Sequence, residues 1–176
     1  MPNYIQNIIE VHGDSDELVK FINRHIKDGY FDFNTIIPEP KYKAETSKKY
    51  ILQDEDDARD NFLSTQYSED RDGWFNWYKW RMDHWGTKWN ASHKDKICFD
   101  TTRIIEENIT TIQICFDTAW QPPIPIAKKL IQRYYKKLRI GWDWYSFESM
   151  IAGHLSKDNY GDGTIPGFYY CDYKLK

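Results

Sequence analysis

The stretch from Thr111 to Ile151 constrains the fold most. Ile112, Ile114, Phe116, Thr118 and Trp120 occupy alternate positions, with Thr111, Gln113, Cys115 and Asp117 between them. A period of two marks a strand with one buried and one solvated face. Pro122-Pro123-Ile124-Pro125 breaks the strand and presets a helix start, because proline is tolerated at the first helical position. Ala127, Leu130, Ile131, Tyr134 and Leu138 then form an apolar helical stripe. Gly141 reads as the end of that helix, and Trp142 to Ile151 alternates again as a strand.

The first third shows the same order. Ile5, Ile9 and Val11 share one face of a strand over residues 4–12, and Asn7, on the same face, needs a hydrogen-bonding partner if buried. Asp14 and Glu17 have the spacing of a capping box. Leu18, Phe21, Ile22 and Ile26 follow at helical spacing, and Gly29 reads as the helix stop. Tyr30 to Ile37 is β-prone until Pro38-Glu39-Pro40. Two β-α-β halves predict an α+β, ferredoxin-like β-α-β-β-α-β sandwich spanning residues 1–176, with an insertion at about 38–100. Residues 153–167 read as a glycine-rich loop and Phe168 to Tyr173 as a last strand.

The insertion opens with a charged stretch, acidic around Asp54 to Asp60, and continues with Trp74, Trp77, Trp80, Trp85 and Trp89. Spacings of three and four predict a helix from Asp72 to His84, stopped at Gly86. Its indoles are expected to pack over the sheet face that the two helices leave open, as a second core. Of 176 residues, 17% are aromatic, which argues against disorder as the main state.

Net charge is −3, too small for a uniformly basic nucleic-acid binder or a wholesale DNA mimic. No apolar run approaches the ~18 residues of a membrane span, and the opening residues do not read as a signal peptide. Three dispersed cysteines, Cys98, Cys115 and Cys171, read as core or strand thiols of a reducing, cytoplasmic compartment.

Three segments carry a resemblance: WYKWRMDHWGTKWNA (77–91), FDTAWQPPIPIAKKL (116–130) and YSFESMIAG (145–153). With the opening MPNYIQN and FDFNTIIPEP, they resemble the YubB-type ferredoxin-like domain family of phage and plasmid proteins. The resemblance implies a bacterial cytosolic protein of a mobile element, and no activity accompanies it. The fold name implies no iron–sulfur cluster, and the scattered cysteines could not supply four ligands.

The expected function is that of a non-enzymatic binding protein acting on a host protein, as a counter-defence or host-takeover inhibitor. The candidate binding residues are Trp77, Trp80, Arg81, Trp85, Lys88, Trp89, Asp117 and Trp120, where aromatic rings and charges recur together. Asp117 is expected to accept a charge-assisted hydrogen bond from Arg81 or Lys88. The alternative is a nucleic-acid-binding module using those aromatics and a basic helix face of Lys128, Lys129, Arg133, Lys136, Lys137 and Arg139. Asp117 and Glu148 are the one carboxylate pair suited to acid–base work, but no catalytic constellation emerges around them. The five histidines show no metal-binding spacing, the Asp158–Asp162 and GDGTIPG stretches read as turns, and no cofactor is expected.

Overall fold

The computed structural model describes residues 3–40, 77–92, 96–148, 150–157 and 168–174, the side chains of Trp77, Lys157 and 168–174 excepted. Five strands form one antiparallel sheet. In chain order they are β1 (Tyr4–His12), β4 (Thr111–Ala119), β5 (Arg139–Ser146), β6 (Ile151–Lys157) and β7 (Phe168–Lys174), and in space they run β4-β1-β5-β6-β7. Helices α1 (Ser15–His25) and α4 (Ile124–Tyr134) cover one face, giving the ferredoxin-like α+β sandwich, and the short α3 (Thr101–Glu106) leads into β4. Ile5, Ile9 and Val11 of β1 pack with Leu18 and Phe21 of α1 and Ile126 and Leu130 of α4 in a single core.

The second half matches expectation in kind. β4 and β5 both pair antiparallel to β1, so they run parallel to one another, joined across it by α4. The boundaries differ. α4 ends at Tyr134 and the strand begins at Arg139, because the buried alternation starts earlier, with Leu138, Ile140, Trp142 and Trp144. Gly141 therefore lies inside β5 and stops nothing. The expected strand over 142–151 stops at Ser146, and residues 153–157, expected as loop, belong to β6, which starts at Ile151. Gly153 is needed there because a Cβ would lie 2.2 Å from Cζ2 of Trp144.

The first half departs more. Residues 30–37 add no strand to the five-stranded sheet. Asp28 and Gly29 both have positive φ, 52° and 84°, the conformation of a tight hairpin turn. The turn folds β3 (Tyr30–Phe31) back on β2 (Ile26–Lys27) as a separate two-stranded ribbon. The Asp32 side chain then accepts from Asn34 N and starts a 3₁₀ turn, Phe33–Thr35, which buries Phe33. The sheet position beyond β4, which a strand following α1 would take, carries only the Ser92 bridge to Asp117 among the described residues, and β6 and β7 extend the sheet at its other end, beyond β5. Asp14 is the N-cap of α1 but makes no side-chain cap bond, so no capping box forms; Glu17 binds Lys20 and Lys137 instead.

The buried Asn7 finds its partners. Its amide donates to Ile5 O and Thr118 Oγ1, both at 3.0 Å, while its oxygen accepts from Trp142 Nε1 at 3.2 Å. One side chain thus joins β1 to both neighbours. His25, also fully buried, links α1 to the 3₁₀ turn and α4. Thr35 Oγ1 donates to Asp32 O, so His25 Nδ1–H donates to Thr35 and Nε2 accepts from the Tyr134 hydroxyl. That pairing suits a neutral ring. Burial, reinforced by the charges of Arg133, Arg24 and Lys27, lowers its pKa to about 3.

Candidate functional site

Helix α2 (Trp77–His84) is what the description includes of the expected Asp72–His84 helix; Trp74 and the acidic run lie outside the described residues. Trp85 follows it and is fully buried, edge-on to Phe33 at 5.7 Å, with its indole N–H donating to Ile37 O at 2.9 Å. Trp80 packs edge-on to Trp85 and stacks on His84. These rings join the same core as α1 and α4, at the β4 side of the sandwich. They do not form a second core over the open face. That face (Gln6, Ile8, Glu10 and His12 of β1 beside Thr111, Gln113 and Cys115 of β4) is not buried by any described element.

The charge pairing also differs from expectation. Arg81 makes a two-pronged bond to Glu39, Nε–Oε1 2.9 Å and Nη2–Oε2 2.8 Å, and its guanidinium lies 5.0 Å over the Trp85 ring. Glu39, read from sequence only as part of a proline-flanked stop, is thus the carboxylate that clamps α2. Its spacing from Arg81 carries no periodic signal. Asp117 pairs through its backbone with Ser92, N to O at 2.8 and 3.0 Å, closing the outer edge of β4.

The WGTKW and TAWQPP motifs do meet, by other contacts. Thr87 Oγ1 donates to Ala119 O at 2.9 Å. Gly86, at φ 79°, brings its Cα against the proline turn, where a Cβ would lie 2.8 Å from Pro125 Cδ. The Lys88 ammonium sits between two indoles, 5.3 Å from Trp89 and 5.1 Å from Trp120, and makes no ion pair among the described residues. Tyr78 closes on Trp120 edge-on at 6.5 Å. Trp120 is 42% exposed and has φ 65°, left-handed for a bulky residue. Tyr78, Lys88, Trp89 and Trp120 therefore form a half-exposed aromatic ledge with a cation at its centre. Of the expected binding residues, Trp85 is fully buried with Trp80 and Arg81 packed against it, and Trp77 opens α2 with its side chain outside the description.

Beside the ledge, the ends of β1, β4 and β5 line an open cavity of about 400 Å³ whose walls include Tyr4, Asp117, Tyr145, Phe147 and Glu148. The structure thus brings Asp117 and Glu148 to one hollow. On the open sheet face His154 Nδ1 meets Asp143 Oδ1 at 2.7 Å, a pair across β5 and β6 hidden from sequence reading by the loop assigned to 153–157. No group of three or more His, Cys, Asp or Glu among the described residues could hold a metal ion. Cys98 and Cys115 are free and exposed, Cys115 on the outer face of β4 and Cys98 in neither core nor strand.

The basic set does not form one helix face. Only Lys128, Lys129 and Arg133 lie on α4; Lys136 and Lys137 belong to the turn after it, and Arg139 opens β5. Arg133 is occupied by Thr35 O and Ile36 O at 2.9 and 3.0 Å, and Lys137 by Glu17. No described helix is long and apolar enough to cross a membrane.

Residues 84–173 match the family model described as the ferredoxin-like domain in Api92-like protein. No curated protein and no solved structure matches the chain.

Proposed function

The chain belongs to the ferredoxin-like domains of Api92-like proteins, and on that premise we propose that it is a non-enzymatic binding module that engages a protein partner through its aromatic ledge. The observation that carries the reading is Trp120. A bulky residue in the left-handed region costs on the order of 1–3 kcal/mol, and strain of this kind clusters at functional sites. The indole is also 42% exposed and lies outside the hydrophobic core. Trp beside a cation is a composition enriched where binding energy concentrates. The source and target implied by resemblance complete the proposal: a mobile-element protein acting on a host protein, as a counter-defence or takeover inhibitor.

The test is affinity capture from bacterial lysate, comparing wild type with Trp120→Ala and Lys88→Ala. A partner held by the wild type and lost by both folded variants supports the ledge. Equal capture by all three removes it. A nucleic-acid role is checked by anisotropy with labelled oligonucleotides at low salt, where a complex that weakens steeply with added salt would replace the protein-binding reading. Arg133 is a poor choice for that comparison, since its carbonyl contacts make it part of the fold; Lys128 and Lys129 are the exposed alternatives.

A further inference from the structure

The cavity beside the ledge has a composition of its own. Its walls combine two carboxylates, Asp117 from β4 and Glu148 from the turn after β5, with three rings, Tyr4, Tyr145 and Phe147. The rings are not core residues: Phe147 is 70% exposed and Tyr4 48%. Tyr145 and Phe147 stand edge to face at 5.3 Å, so one presents a flat surface beside the other. Glu148 is exposed and makes no hydrogen bond or ion pair among the described residues. Gln6 adds an amide to the wall. A hollow of about 400 Å³ is within the size range of small-ligand sites and is ample for one long side chain.

We propose that this cavity receives an arginine side chain of the protein partner. A guanidinium is planar and weakly hydrated, stacks on aromatic faces and binds carboxylates through parallel N–H donors. An ammonium matches the charge but not the flat stacking surface, and an apolar side chain would leave the Glu148 carboxylate poorly solvated. Placement agrees with the rest of the surface. Trp120 N donates to Asn3 O at 2.8 Å, so the ledge and the mouth formed by Tyr4 lie at the same end of the sheet. A partner seated on Trp120 can reach the cavity with an adjoining residue. The inference rests on the reading of this end as a partner-binding surface, and its chemistry is testable without the partner.

The probe is N-acetyl-arginine N-methylamide, titrated into the full chain while the ring resonances of Tyr4, Tyr145 and Phe147 are followed by NMR. Saturable shifts are expected from the arginine derivative and not from its citrulline counterpart, which has nearly the same shape without the charge. The lysine derivative should bind at least threefold more weakly. Glu148→Gln should weaken the arginine response at least fivefold with the melting midpoint unchanged, because Glu148 supports nothing else described. Absence of saturable shifts, an equal response to citrulline or lysine, or an unchanged response in Glu148→Gln overturns the assignment. Capture of a partner that depends on Trp120 but not on Glu148 would leave the ledge standing and remove the arginine site. Arginine binding without any captured partner would do the reverse.

Discussion

Trp85 and Trp120 each lie under a cation at almost the same distance, 5.0 Å from the Arg81 guanidinium and 5.1 Å from the Lys88 ammonium. Trp85 has no exposed surface, donates its N–H to a backbone carbonyl, and its cation is fixed by Glu39. Trp120 is 42% exposed on a left-handed backbone, and its cation has no carboxylate among the described residues. The difference lies in what surrounds each pair. Where the cation is neutralised and the ring enclosed, the contact holds a helix in place. Where both stay partly wet, the same two groups are available to another molecule.

The contrast breaks most visibly at Trp85. Trp85→Ala should cost roughly 3–5 kcal/mol, the range for emptying a large aromatic site in a core, read as a lowered urea midpoint. A midpoint near wild type would mean that Trp85 is not a core residue. Glu39→Gln comes next, at about 2–3 kcal/mol. It removes the charge that faces the mostly buried Arg81 guanidinium, and partial exposure keeps the cost below that of breaking a fully buried pair. Asp117→Asn should cost less than Glu39→Gln by the same measurement, since Arg81 is held by Glu39; the reverse order would restore Asp117 as the clamp.

The two imidazoles sharpen the comparison by pH. His25 is buried and its pKa lies near 3 against an ordinary 6.5, whereas His154 sits on the open face. The unfolded chain takes up the His25 proton first, so its contribution is complete above about pH 6.5 and is lost as pH falls toward 3. At pH 5 the loss is about 2 kcal/mol. Urea unfolding at pH 7 and 5 should show that slope in the wild type, and His25→Gln should flatten it. An unchanged slope in the variant would mean another group is responsible.

The smallest stability effect belongs to Trp120→Gly. Glycine relieves the positive φ while the lost ring contacts are few, so the net change should stay within about 1 kcal/mol in either direction. Partner capture should nevertheless disappear. A large loss of stability would make Trp120 a second Trp85 and end the distinction.

Much of this architecture is legible in the chain. Alternation in residues 4–12 and 111–119 follows from a sheet covered on one side, and the stripes of α1 and α4 from helices lying on that side. Both are local periodicities, so neighbours along the chain suffice to show them. Even the misread segments carried local signals: Asp28-Gly29 is a hairpin-turn dipeptide, and the alternation of β5 starts at Leu138. The ledge was legible as a composition, since WGTKW and TAWQPP join rings to charges, and the two motifs do meet.

What the sequence could not determine is which of those charges and rings find one another. Any carboxylate can satisfy Arg81 equally well in chemistry; Glu39 does so because β3 and the 3₁₀ turn bring it there, while Asp117 is turned to the opposite side of β4 and into the cavity with Glu148. The place beyond β4 was likewise open to the segment after α1; the hairpin at Asp28-Gly29 turned that segment into a separate ribbon, and the sheet grew beyond β5 instead, through β6 and β7. Periodicity is a property of neighbours along the chain and can be read there. Pairing between distant residues depends on which surfaces the packed core brings together, and only the tertiary structure sets that.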